Sequence, residues 1–365
     1  MSNTDPRDTE RSNPSSNGLS NGVTVHSTEK GPVEILEPRE VPLGGPRAMT
    51  VHRSLPQKAR SLVGAWCFLD AYGPDRVSDS GGMKVARHPH TGLATVSWLF
   101  EGNIDHIDSA GNWATVRPGW VNLMNAGKGI THSEYSSDTT EVLHGLQLWY
   151  ALPDEHRFGE PRLDSYLPPL IEGEGYTARV FLGSLLGSTS PVETHIPLTG
   201  AEFRLDAGAT LEIPVPEDHE HGIIQVTGSI SLDGVEVPEN AIGVAPTGRS
   251  ALTLTAGSEP VTAVLIGGEP LGEQIVMWWN FVGRTHEEVE LWRKRYMQEM
   301  GFDPADENSP APTGETVGEV LPTELLGESY QDDDTAYPQF GEFPPNQPTP
   351  IPAPQLPNAR LRLRG

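Results

Sequence analysis

The chain is expected to fold as an all-β protein of barrel or sandwich type, built as two domains with loose ends. Three observations carry that expectation. Apolar runs are short and cut by Gly and Pro, as in Val41-Pro42-Leu43 and the run from Leu62 to Asp70, and such runs at close spacing read as strands of packed or closed sheets. The pattern loosens near residues 161–173 and then starts again. At 365 residues the chain can bury a core in each of two ordinary domains.

Residues 1–31 are rich in Ser, Asn, Thr and charge, too polar to offset the entropy of ordering, and are expected to form a disordered tail. The first strand set occupies residues 32–165. Residues 96–102 form a strand ending in a turn, and residues 103–108 alternate apolar and polar as its return. His106 falls on the polar face of that return, which assigns it to solvent or to the surroundings of a site rather than to a ligand. Arg117-Pro118-Gly119-Trp120 is a turn that feeds a strand at Val121-Asn122-Leu123-Met124, and residues 141–150 are the next strand. Ala126-Gly127-Lys128-Gly129 lacks the Ser or Thr and the earlier glycine of a phosphate loop. Its glycines let the backbone turn tightly before His132.

The second set, residues 166–301, holds strands at 176–182, 211–213, 223–226, 251–255 and 261–266. Thr285 and Glu288 form a capping box. Val289, Trp292, Tyr296 and Met300 follow at helical spacing, an amphipathic helix that ends at Gly301 and packs on the barrels. From Phe302 onward fall 12 of the 34 prolines, with 11 acidic residues against 3 basic, so residues 302–365 are expected to be a disordered acidic tail. On that reading, removing residues 1–31 and 303–365 leaves the melting temperature nearly unchanged.

With 25 basic against 50 acidic residues, a net charge of −25 disfavours a grip on phosphate backbones and on anionic membranes. The one cysteine, Cys67, excludes an internal disulfide and a thiolate cluster, and within Gly64-Ala65-Trp66-Cys67-Phe68-Leu69 it reads as a small buried apolar residue. Residues 1–21 have no apolar core of a signal peptide, and no run reaches the 18 or so apolar residues of a membrane span. A cytoplasmic monomer is the expectation.

The chemistry concentrates between Arg87 and Glu134. His88-Pro89-His90-Thr91-Gly92 and Gly129-Ile130-Thr131-His132-Ser133-Glu134 each place two metal-ligating side chains at i and i+2, which on a strand share one face. The separation of 42 positions between His90 and His132 leaves room for strands that fold the two pairs onto one wall. Three imidazoles and a carboxylate suit a divalent first-row metal with positions left for dioxygen and substrate. A second pair, His219 and His221, follows Pro214, Pro216, Glu217 and Asp218. That is loop chemistry with no further ligands downstream, and it is not expected to bind metal.

The run His88 to Val96, then Leu99-Phe100-Glu101-Gly102, His106 to Gly111, Arg117-Pro118-Gly119 and Ala126 to Glu134 resembles the pirin family. The likeness continues at residues 267–273 and 278–282 and covers about Pro32 to about Glu299. It implies two cupin-type β-barrel (jelly-roll) domains in tandem, with one mononuclear metal in the first held by His88, His90, His132 and Glu134. It also places a glutamine, here Gln147, near the metal pocket, although Gln147 read by itself could equally cap the polar end of the barrel. Asn125 stands where a threonine is usual in the family and Ala94 where many members have Glu.

The resemblance implies Fe(2+) and cleavage of a flavonol such as quercetin by dioxygen, with a small polyphenol as substrate and Glu134 as ligand and base. A second reading from the same family is a regulatory protein that binds transcription factors or metabolic enzymes. A third is a structural bicupin with a vestigial metal.

Overall fold

In the computed structural model, residues 22–43, 49–303, 339–344 and 347–365 are described. The first barrel pairs a seven-stranded sheet with a four-stranded one, and the second pairs an eight-stranded sheet with another four-stranded one. The seven-stranded sheet runs, edge to edge, through Arg162–Tyr166, Val121–Asn125, Leu93–Glu101, Val142–Ala151, Trp66–Arg76, Thr50–Leu55 and Arg39–Pro42. Its partner runs Lys84–His90, Ile130–Ser136, Ile104–Asp108 and Trp113–Val116. All these pairings are antiparallel.

Strand Val142–Ala151 shows how alternation divides the molecule. Leu146, Leu148 and Tyr150 point one way, into a core shared with Phe181, Leu182, Ile224, Val264 and Ile266 of the second barrel. Gln147 and Trp149 point the other way, into the first barrel. Because both faces of this sheet are covered, its central strands are buried almost continuously. Trp98 stacks on Phe181 at 4.4 Å and donates its indole N–H to Glu202 across the same seam. Cys67 is buried as expected, in the core that forms this seam, and burial pushes its thiol up to about 12.

The interiors differ in chemistry. The second barrel is filled by aliphatic and aromatic side chains, among them Val180, Phe203, Ile213, Ile223, Leu252, Leu254 and Leu265. The first encloses the Arg53–Asp70 ion pair (2.7 and 2.8 Å), with Arg53 over the Phe68 ring. Removing ions from water is costly even when they are paired, so this barrel is built for more than packing.

The helix His286–Glu299 starts where the capping residues place it. Thr285 accepts from the Glu288 N–H, but the Glu288 carboxylate reaches the Arg284 N–H and Arg157 rather than Thr285. Val289, Trp292 and Tyr296 are buried, and Gly301 has φ +76° just past the end.

The expected tails are corrected where they are described. Val23–Thr28 pairs with Gly31–Leu36, and that hairpin joins the second barrel through Ile242–Ala245, so the 31/32 boundary does not mark a change of sheet. At the other end Phe340 and Ala353 are fully buried, and Leu363–Arg364 adds a strand beside Ile275–Trp278. Composition misled here because a proline-rich segment pairs by side-chain and carbonyl contacts with an existing surface and needs no core of its own. Residues 1–21 and 304–338, also expected to be disordered, lie outside the described residues.

Candidate metal centre

The four-stranded sheet of the first barrel brings the ligating side chains together by register alone. His132 lies opposite His88 on one side and Asp108 on the other, and Ile130 lies opposite His90. Glu134 faces His106. Since residues i and i+2 share a face, His88, His90, His132, Glu134, His106 and Asp108 all point into the barrel, and all are buried. Between His132 and Glu134 the Lys84–His90 strand carries an extra residue, so that Glu134 pairs with Val85. Such a bulge re-aims the side chains beside it.

The turn before His132 depends on glycine. Gly127 has φ +48°, and a Cβ there would lie 2.0 Å from the Gly159 carbonyl oxygen. Asn125 accepts from the Gly127 N–H at 2.9 Å.

The ligand atoms of His88, His90 and His132 lie within 4.8 Å of one another, and so do those of His106, His132 and Glu134. The expected four residues therefore appear as two overlapping groups that share His132. His90 Nε2 and His132 Nε2 face each other at 3.0 Å, the spacing of two nitrogens at right angles around an ion about 2.1 Å from each. His88 Nε2 and His90 Nδ1 are buried without a hydrogen-bond partner among the described residues. The facing His90 and His132 Nε2 atoms and the orphaned His88 Nε2 are costly unless a cation joins them, so the residues present fit a divalent metal.

Second contacts hold the rings. His88 Nδ1 donates to the Ala86 carbonyl at 2.8 Å, which leaves Nε2 with its lone pair. His132 Nδ1 meets His106 Nδ1 at 3.3 Å, and His106 Nε2 meets Asp108 Oδ2 at 3.3 Å. Asp108 is pinned in turn by the N–H groups of Ala110 and Asn112 and by the Asn112 amide. An ionised Asp108 accepts a hydrogen bond from His106 Nε2–H, so His106 Nδ1 accepts from His132 Nδ1 and the lone pair of His132 Nε2 faces inward. Burial, with His132 beside His88 and His90, and with His106 beside His132, holds the three imidazoles well below the ordinary histidine range. They are neutral at pH 7, the form that ligates.

His106 is therefore no solvent-facing residue: it shares the buried interior face of its strand with Ile104 and Asp108, not a polar outer face. Asp108 escaped the sequence reading, yet His106-Ile107-Asp108 carries the same i, i+2 signal as the two ligand pairs. Gln147 lies in neither group. It is buried on the opposite sheet, where it accepts from Ser97 Oγ at 2.8 Å. His219 and His221 are both buried; His221 lies in the strand Glu220–Thr227 rather than in a loop, and His219 just before it. Its Nε2 is bonded to the Pro216 carbonyl, and among the described residues the pair joins no metal-binding group.

Removing the outer contacts gives a direct test of their role. His106→Ala or Asp108→Asn is expected to weaken metal binding about 10- to 100-fold, read by competition with a chelator. Unchanged affinity in both variants would remove the relay from the site.

Two antiparallel barrels in tandem, with a wall of imidazoles and a carboxylate inside the first, define a bicupin with a candidate metal site. Residues 48–150 match the pirin family and residues 200–301 match the pirin C-terminal cupin domain. The chain belongs to the pirin family. A Pseudomonas aeruginosa protein named "putative quercetin 2,3-dioxygenase" is 37% identical over 259 residues, which cover 71% of this chain and 81% of that protein. Human pirin is 34% identical over 210 residues, covering 55% of this chain and 72% of its own length. The crystal structure of a quercetin 2,3-dioxygenase from Acinetobacter baumannii is similar over 91% of this chain and 98% of that one, with a TM-score of 0.76 and 31% identity.

Proposed function

We propose that the first barrel is the active site of an iron-dependent dioxygenase that cleaves flavonols or related polyphenols. The observation that carries this reading is the wall of three buried neutral imidazoles with a buried carboxylate beside them. His88, His90, His132 and Glu134 would hold the ion. Iron(II), when bound, supplies a Lewis acid and a one-electron partner for dioxygen. The names of the Pseudomonas and Acinetobacter relatives support the same substrate class.

The protein's own residues do the remaining work. Ala86 and the His106–Asp108 pair orient two of the rings, so the ligand lone pairs converge before a substrate enters. Glu134, at the strand position opposite His106, is placed to take the proton of a substrate hydroxyl, and the loss of that proton makes the ring system electron-rich toward dioxygen. His88, His90, His132 and Glu134 are all buried, and burial strengthens each of these interactions.

Iron-loaded protein is expected to consume oxygen with quercetin. Glu134→Gln is expected to lower turnover roughly a hundredfold or more while metal content falls far less. Normal turnover in that variant would rule out Glu134 as the base. No oxygen uptake with any flavonol would move the reading to a metal-dependent regulatory protein, and binding to protein partners would then be the measurement to make.

A further inference from the structure

The wall that faces the metal-site sheet carries donors with nothing to donate to. Trp149 stacks on Phe68 at 3.9 Å and stands edge-on to the His90 ring at 5.1 Å, which fixes its place beside the ligand histidines. Gln147, two residues earlier, shares its face. Its Oε1 is used by Ser97, but Gln147 Nε2 and Trp149 Nε1 are both buried with no hydrogen-bond partner among the described residues. Tyr72 Oη, which lies on the next strand of the same wall, is in the same condition.

Buried polar atoms without partners are rare, and each one calls for an occupant. Here the chemistry of the occupant can be read from the atoms. An indole N–H only donates, and an amide NH2 only donates, so the missing partner is an acceptor. The nearby cation, Arg53, is already bound by both oxygens of Asp70, so the wall offers N–H groups rather than an uncompensated charge. Phe68 is sandwiched between Trp149 and Arg53, so the aromatic surface beside those donors comes from Trp149 and the His90 ring, which suits a flat π-system.

We propose that Gln147 and Trp149 are specificity-determining residues, whose two N–H groups hold oxygens of a planar, oxygen-rich aromatic ligand while other oxygens of that ligand face the metal-site sheet. This rests on the proposed function for the location of the ligand, and it adds which residues choose it and why. An aromatic ring system without oxygens would fill the same space but leave both donors orphaned, so oxygen content, not shape, is what these residues select.

The test compares quercetin with unsubstituted flavone on zinc-loaded protein under anaerobic conditions, with binding followed by fluorescence quenching. Trp149→Phe keeps the stacked ring and removes the N–H, and Gln147→Met keeps the length and removes the amide. Each is expected to weaken quercetin roughly tenfold more than flavone, the loss of about one hydrogen bond, with zinc content unchanged. A variant that merely disturbs packing weakens both ligands equally, and equal losses in both variants would overturn the proposal. The oxygen-uptake assay separates the two readings. Selective loss of quercetin with no turnover by iron-loaded protein sinks the dioxygenase and leaves the specificity residues, whereas turnover with no selective loss does the reverse. Failure of the wild type to bind quercetin overturns both.

Discussion

Replacing His88 and His132 together by alanine is expected to strip the protein of nearly all its metal, whereas His219→Ala with His221→Ala leaves the metal content at the wild-type level. His88 and His132 lie directly opposite each other on adjacent strands, with ring centroids 4.3 Å apart, and they supply two of the three imidazoles of the first group. One imidazole and a carboxylate leave most of the coordination sphere of a first-row ion to water and hold it weakly. The second pair of histidines is held at 6.0 Å between ring centroids, with His221 tied to a backbone carbonyl. Metal analysis after dialysis decides the matter, and full occupancy in the His88→Ala, His132→Ala double variant would sink the assignment.

Deletion of residues 339–365 is expected to destabilise the protein by more than the about 3–5 kcal/mol that Phe340→Ala costs on its own. Phe340 is fully buried against Phe281 and Tyr296, with ring centroids 6.2 and 5.5 Å away. Its carbonyl accepts from Thr131 Oγ1 at 3.0 Å, and its N–H donates to Glu299 at 2.8 Å. Further along, the Ile351 N–H donates to the Arg87 carbonyl and the Tyr296 hydroxyl to that of Ile351. Arg87 and Thr131 each stand one residue from a ligand histidine. The segment therefore clamps the outer side of the ligand strands, and its removal is expected to loosen the metal as well. This reverses the expectation from composition that the melting temperature is indifferent to the tail. Denaturant melts of the full chain, the deletion and Phe340→Ala provide the check, and a midpoint unchanged in the deletion would show that the clamp contributes nothing.

The candidate ligands were legible because they follow local rules. A strand puts i and i+2 on one face whatever surrounds it, so His88 with His90 and His132 with Glu134 could be paired from spacing alone. The same rule applied to His106-Ile107-Asp108 reaches the relay behind His132. The β character of both halves and the helix capped by Thr285 follow from patterns a few residues long, and they appear where the sequence places them.

Tertiary structure decided what depends on distant neighbours. Whether Gln147 faces the barrel interior or the seam between barrels is a question of sheet register against strands 50 and more residues away, and a shift by one residue exchanges the two faces. The bulge opposite Glu134 arises from a mismatch between two strands and has no signature within either. The docking of residues 339–365 lies furthest from local rules. A proline-rich segment gains its stability from carbonyls and a few apolar side chains, Phe340 foremost, laid on a surface that the rest of the chain has already built, so nothing in its own composition distinguishes a clamp from a tail.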